Sequence, residues 1–312
     1  AGAGVILVAG IPSEPPLQEA LDALSDLRAD VVVLSQRRCA EIDLAFAVDS
    51  AGAVDGVLRI GRRHIALREV TGVYARLMDH RNVPEYQRLD VGDPERDRWA
   101  ALNDTLAAWV DVAPGTIVNR SSAMASNGAK PYQGQLIARH GLLTPETLLT
   151  NDPEVARDFY ASRPRVVFKS ASGARSIVQT MEPGDLERLG TLRACPVQFQ
   201  TWVPGTDVRV HVVGSEVFAT AITTTATDYR YATAQVEEPA RLEPHELDDD
   251  VAQRCVALTA DLGLEFAGID LKITPDGEVY CFEVNPSPAY TYFSGQTKQP
   301  IPEALARHLL AA

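Results

Sequence analysis

Residues 268–285 read Gly268-Ile-Asp-Leu-Lys-Ile-Thr-Pro-Asp-Gly-Glu-Val-Tyr-Cys-Phe-Glu-Val-Asn285. Asp276-Gly277 between two apolar-rich runs signals a hairpin with a two-residue turn. With that pair at the tip, Ile273 opposes Tyr280, Leu271 opposes Phe282 and Ile269 opposes Val284. These six apolar or aromatic side chains then share one buried face. The other face sets Asp270 directly across from Glu283 and Lys272 across from Cys281, with Asn285 on the same side, two residues beyond Glu283. Two carboxylates so placed lie about 5 Å apart at Cβ and repel one another. A solvated face that tolerates both acids is one reading. A divalent cation between them is the other. Asp, Glu and Asn supply hard oxygen ligands, which suit magnesium, and magnesium completes its shell with phosphate oxygens and water. On that reading a nucleotide lies beside Asp270, Glu283 and Asn285.

Upstream segments bear on the same choice. Arg165-Val-Val-Phe-Lys169 is a strand that ends in lysine, and Ser170-Ala-Ser-Gly-Ala-Arg-Ser176 follows it. Small residues there, Ser172 and Gly173 among them, let the backbone approach a ligand closely, and its N–H groups with Lys169 can cradle phosphate. Lys130 stands just before Pro131 at a helix start, where an ammonium and the positive helix end act together on an anion. Between Pro196 and Gly205 runs Val197-Gln-Phe-Gln-Thr-Trp-Val203. This is either a plain buried strand or an apolar connector whose Gln200, Thr201, Trp202 and Val203 offer backbone groups to an adenine edge. Directly after it, Val208, Val210 and Val212 alternate with Asp207, Arg209 and His211. One face enters the core; the other presents an acid and two potential cations, of which Arg209 suits phosphate or carboxylate through paired hydrogen bonds.

The rest of the chain frames these segments. Val5–Ala9 is a continuous apolar run expected of a buried parallel strand, Pro15–Leu27 has helical spacing, and Val31–Leu34 is a second strand, giving a β-α-β opening. Short antiparallel strands are expected over 42–48 and 56–67, a strand over 71–77, and a helix over 98–110 with Trp99, Leu102, Leu106 and Trp109 on one face. Lys130–His140 reads as a helix ended by Gly141, and Asp152 caps another that starts at Pro153. Strands 197–203, 208–213, 217–223, 268–273 and 279–284 and a helix over 248–262 make up the last part. The fold class is α/β (α+β), divided as 1–115, 116–195 and 196–312.

Among 312 residues, 46% are hydrophobic and mean hydropathy is close to zero, which fits a globular protein with a sizeable core. A net charge of -13 argues against a nucleic-acid partner, whose phosphates call for clustered Lys and Arg. Cys39, Cys195, Cys255 and Cys281 form no C-x-x-C pair, so neither zinc nor a disulfide framework is expected. No run approaches a membrane span, and Val5–Gly10 lacks the basic flank of a secretion signal. A cytoplasmic protein is the default. The sequence has no Gly-Lys pair for a P-loop and no dinucleotide fingerprint.

Taken in order, Lys130, Lys169 with its small-residue loop, the Gln198–Val203 connector, Asp207, Arg209, Asp270 and the Glu-Val-Asn-Pro stretch at 283–286 resemble the ATP-grasp superfamily. Within it, the chain looks most like the microviridin-type (graspetide) maturases of ribosomal peptides, and next like the ribosomal-protein glutamate ligases. The likeness covers nearly the whole chain, from the N-terminal strands up to Val73-Tyr-Ala-Arg76 through Gly141–Asp152, Thr227-Asp-Tyr-Arg230 and Gly268-Ile-Asp270 to Asn285-Pro-Ser-Pro288. It implies an N-terminal pre-ATP-grasp domain, a central subdomain and a C-terminal subdomain with the metal site. It implies ATP and Mg2+ as cofactors, with Lys130 and Lys169 on phosphates and adenine held by the connector. Arg230 would face the acceptor carboxylate. The implied partner is a precursor peptide with a leader and an acidic core, with segment 221–242 as a flap. A homodimer also fits, since relatives in the group are often dimers. Thr201 departs from the glutamate common at its position, and Tyr74-Ala75-Arg76 lacks a doubled arginine. Tyr290, Tyr292 and Phe293 have no counterpart in the pattern. Ligation of a glutamate-like group to a protein tail, and a non-catalytic nucleotide-binding module, are the competing functions.

Overall fold

The computed structural model describes residues 4–171, 177–226, 228–229 and 232–311. The expected β-α-β opening forms. Strand β1 (Val5–Gly10) is buried along its whole length. It lies inside a parallel sheet of order β2-β1-β6-β7, with β2 at Asp30–Ser35, β6 at Val70–Ala75 and β7 at Thr116–Val118. An apolar run suits that place, since a parallel strand is covered on both faces. One cover is the helix Pro15–Asp26, whose Leu17, Ala20 and Leu24 face the sheet; the other is the helix Pro94–Val112, which brings Leu106 and Trp109. The polar tip of Asp93 caps that second helix by accepting from Glu95 N–H. Between β2 and β6, the strands β3 (Ile42–Val48), β4 (Val54–Ile60) and β5 (Arg63–Ala66) form a small antiparallel sheet.

A second antiparallel sheet has the order β10-β9-β11-β8, with β8 at Thr147–Thr150, β9 at Val166–Ser170, β10 at Gln179–Thr180 and β11 at Val197–Thr201. Strand β11 was expected to open the last part of the chain. It pairs instead with both β8 and β9, because Phe199 and Val197 pack with Val166 and Phe168 in that sheet's own core. The helix Lys130–Arg139 crosses the other way: Leu136 and Ile137 bury themselves against the last sheet.

That last sheet, of order β14-β13-β12-β15-β16, comprises β12 (Thr206–Val213), β13 (Glu216–Thr223), β14 (Arg241–His245), β15 (Phe266–Ile273) and β16 (Val279–Asn285). Its hairpin corrects the expected register. The turn is a three-residue loop, Pro275-Asp276-Gly277, closed by Gly277 N–H to Thr274 O at 3.0 Å and by Thr274 N–H to Glu278 O at 2.9 Å. Only Gly277 in it takes a positive φ, +83°, whereas a two-residue Asp276-Gly277 turn needs positive φ at Asp276 as well (type I′) or instead (type II′). Pairing therefore starts one residue early: Ile273 faces Val279, Lys272 faces Tyr280, and Leu271 faces Cys281. A bulge at Phe282 restores Asp270 opposite Glu283, Ile269 opposite Val284 and Gly268 opposite Asn285. Cys281 thus takes the core position expected for Phe282, and Phe282 turns to the polar face. Bulges beside functional residues re-aim side chains in this way.

Strand β16 is an edge, yet its outward backbone groups are met. Leu143 N–H donates to Val279 O and Cys281 N–H to Leu143 O. Further along, the amide of Gln133, 1% exposed, donates to Val284 O at 2.8 Å and accepts from Val284 N–H at 3.3 Å. No helix among the described residues is long and apolar enough to cross a membrane.

Candidate active site

The cleft between the second and last sheets collects the candidate residues. Glu283 is the hub. Lys130 Nζ lies 3.2 Å from its Oε2, and Lys169 Nζ lies 3.9 Å from the same oxygen. The two lysines come from different elements, the helix N-terminus at 130 and the end of β9. Burial disfavours the charged form of Glu283, but Lys130 and Lys169 outweigh it and hold its pKa below the ordinary value. Lys130 is steadied by Asn127 Oδ1 at 2.9 Å.

Asp270, across the ladder from Glu283, accepts from Arg209 at 2.6 Å. Arg209 reaches it from the neighbouring strand β12, register partner of β15. Burial works against the guanidinium charge, but Asp270, with Tyr229 and Glu283, outweighs it and raises the pKa. Space for Arg209 depends on Gly268: a Cβ there would fall 2.2 Å from the guanidinium. His211, expected as a second cation on this face, is fully buried. Burial, then the charge of Arg209, push its pKa well below the ordinary value, so it is neutral and packs edge-on to Phe293 at 5.0 Å.

A narrow cavity runs from Lys169, Asp270 and Glu283 to the connector, where Gln200, Thr201, Trp202 and Val203 line it. Val167, Val208, Leu271 and Phe282 give it apolar walls. Asp207 and Lys272, 3.2 Å apart, sit between the two ends. Burial raises the pKa of Asp207, and Lys272 opposes the shift only in part. A second cavity, of about 630 Å3, opens off the same acids and is lined by Arg209, Asp270, Glu283 and Asn285. Ser172, Gly173 and Arg230 lie outside the described residues.

The donor set on the hairpin face is two carboxylates and one amide oxygen. Among the described residues no group of three His, Cys, Asp or Glu gathers to hold a metal. Hard oxygen donors of this kind fit magnesium, which takes one or two protein carboxylates and fills the rest of its shell from phosphate and water. Sequence reasoning missed Phe282, Gly268, Lys272 and Gln133 as parts of the site. Phe282 depended on the bulge, and Gln133 on a tertiary contact 151 residues away.

Residues 126–309 match the RimK-like ATP-grasp domain. The chain belongs to the RimK-like ATP-grasp family. Solved structures similar to this ATP-grasp protein span nearly its whole length. The ATP-grasp ligase PsnB, complexed with minimal precursor, Mg and ADP, is 27% identical with a TM-score of 0.78, covering 98% of this chain and 96% of its own. A RiPP-associated ATP-grasp ligase of Chryseobacterium gregarium, in complex with ADP and a leader and core peptide, is 20% identical with a TM-score of 0.83, covering 99% and 97%. The macrocyclase MdnC of Microcystis aeruginosa MRC, bound with precursor peptide MdnA, is 22% identical with a TM-score of 0.79, covering 99% and 100%. The last two likenesses are ones of fold. No curated protein matched the ATP-grasp chain.

Proposed function

We propose that this ATP-grasp protein is an ATP-dependent carboxylate ligase that joins acidic side chains of a ribosomal precursor peptide to Ser, Thr or Lys side chains. The carrying observation is the meeting of two cavities at one pair of acids. The narrow cavity, with its lysines and its apolar connector, suits a nucleotide; the wider one leaves room for a second substrate at the same Asp270 and Glu283. The PsnB complex supports the reading, with magnesium, nucleotide and a peptide in one relative of this fold.

Phe282, Val167 and Leu271 sandwich the base while Gln200, Thr201, Trp202 and Val203 meet its edge. Asp207 binds between base and phosphates. Lys130 and Lys169 neutralise the phosphates, and Ser172 and Gly173 of the loop contribute neutral hydrogen-bond donors. Magnesium, when bound at Asp270, Glu283 and Asn285, would supply charge neutralisation at the phosphate oxygens. The substrate carboxylate attacks the γ-phosphorus, the bridging P–O bond breaks, and ADP leaves. A hydroxyl or amine then attacks the acyl carbon, loses its proton, and phosphate departs, leaving an ester or amide. Arg209 and Arg230 stabilise negative charge on the transferred group and the bound carboxylate, the role that fixed donors play in a dry site. The peptide carries a leader beside segment 221–242 and an acidic core, the enzyme works as a homodimer, and it acts in the cytoplasm.

ADP release by the purified chain, with and without a candidate precursor peptide and with product masses read in the same tubes, tests this. Peptide-stimulated release with loss of one water per bond is the expected result. A mass gain on another acceptor would favour a tail ligase. Asp270→Asn should lower turnover by a factor of about a hundred or more, as removal of one fixed charge-stabilising group does. Parental turnover in that variant would remove the metal assignment.

A further inference from the structure

Resting on the ligase reading, we propose that Asn119 and Arg76, which follow the neighbouring strands β7 and β6 of the N-terminal sheet, position the metal ligand Asn285. The segment after β16 alternates: Pro286, Pro288 and Tyr290 are buried, while Asn285 and Ala289 line the wider cavity. Each of the three buried residues has a polar partner in the N-terminal part of the chain. Asn119 Nδ2 donates to Pro286 O at 2.6 Å. Arg76 Nη1 donates to Pro288 O at 3.1 Å. Tyr290 Oη donates to Pro16 O at 2.6 Å. The side of this segment that faces the cleft is thus set from behind, at every second residue.

Asn119 is 2% exposed, and its remaining bonds go to the start of β15. Nδ2 donates to Phe266 O at 2.6 Å, and Oδ1 accepts from Glu265 N–H at 2.8 Å and from Phe266 N–H at 3.1 Å. Both amide hydrogens and both oxygen lone pairs are in use, which fixes the side chain in one orientation. The last ladder pair of the hairpin is Gly268 with Asn285. Asn119 therefore bridges the two strands just past the point where they stop pairing with each other. Pro286 has no N–H, so its carbonyl is the one backbone group by which it can be held. Arg76 is steadied in turn by Glu14, Nη2 to Oε1 at 2.6 Å. Asn285 Oδ1 accepts from Ser287 N–H at 2.9 Å. That bond takes one lone pair and leaves the other for a cation, in a direction set by the course of residues 285–287. Neither Asn119 nor Arg76 lines either cavity, so both act on the site through the segment they hold.

The test is calorimetric ADP binding to the full chain at a series of free Mg2+ concentrations. In the parent, affinity should rise with Mg2+ to a plateau. Asn119→Ala should reach its half-point at a Mg2+ concentration about tenfold to a hundredfold higher, the usual effect of removing a group that orients a metal ligand. Its plateau affinity should stay within a few-fold of the parent. Asn285→Ala should show a similar shift, and adding Asn119→Ala to it should move the half-point no further, as for two residues that act as one. Arg76→Met, which leaves the Asn119 contacts in place, should shift it the same way by a smaller factor. An unshifted half-point in Asn119→Ala would overturn the proposal; if that chain does not fold, an unshifted half-point in Arg76→Met would. Full additivity with Asn285→Ala would overturn it too, as would a plateau weakened by the same factor as the half-point, the mark of general damage to the nucleotide site. A parent chain that binds no ADP, or binds it without regard to Mg2+, would overturn the ligase reading itself.

Discussion

Replacing Gln133 by leucine isolates how the hairpin that carries Asp270 and Glu283 is held. Leucine nearly fills the volume of the glutamine but offers no amide. Val284 N–H and C=O face away from β15 and have Gln133 as their partner, at 3.3 and 2.8 Å. With Gln133 only 1% exposed, water has little access to either group. Each buried backbone group left without a partner costs about 1–3 kcal/mol. The longer of the two bonds contributes less, so about 3–4 kcal/mol is expected for the pair. For a chain of this size that corresponds to a melting temperature lower by about 5–10 °C. The catalytic effect is separate. Val284 lies between Glu283 and Asn285, so a strand that shifts to find new partners moves two proposed metal ligands, and a displacement near 1 Å costs roughly a hundredfold in rate. Thermal melts followed by circular dichroism, and ADP release at saturating ATP below the melting range, read both. A Gln133→Leu variant that melts with the parent and turns over with the parent would refute the edge-clamp argument. Loss of stability with full turnover would refute only its catalytic half.

Two further outcomes follow from the site. Phe282→Ala should raise KM for ATP about tenfold while kcat changes little, since an aromatic face on a base contributes about 1.5 kcal/mol to uniform binding; initial-rate kinetics check this, and an unchanged KM would move the base elsewhere. Glu283 has a folded-state pKa below its ordinary value despite burial, because Lys130 and Lys169 favour its charged form. Its contribution to stability is therefore present above the ordinary glutamate pKa and is lost as pH falls through the depressed folded value. Urea unfolding from neutral to acid pH should show a steeper loss in the parent than in Glu283→Gln at the acid end; parallel curves would contradict the assignment.

Much of this was legible from residue type and spacing. The β-α-β opening, the Asp152 cap and the facing of Asp270 and Glu283 rest on local rules, and Asp152 does accept from Glu154 N–H. The facing pair survived even though the turn was read wrongly, because two one-residue offsets cancel: one at Gly277, one at Phe282. Neither offset is visible in alternation alone, since Cys281 and Phe282 are both apolar enough for the core. The neutrality of His211 was equally hidden, as polar alternation on β12 cannot reveal that Phe293 will cover it. Gln133 and Gly268 act through residues distant in sequence, where spacing carries no signal.

The helix Ile301–Leu310 lies with its Ile301, Leu305 and Leu309 against Ile6, Val8 and Leu17. Strands near the start of this sequence are thus completed by a helix some 290 residues later. Until that helix emerges, the face that the helix Pro15–Asp26 shares with it is covered only in part, so the N-terminal sheet of a growing chain stays exposed to unwanted contacts for long. A stop codon just before residue 301 would leave every proposed nucleotide ligand in the product and still yield a chain prone to aggregate.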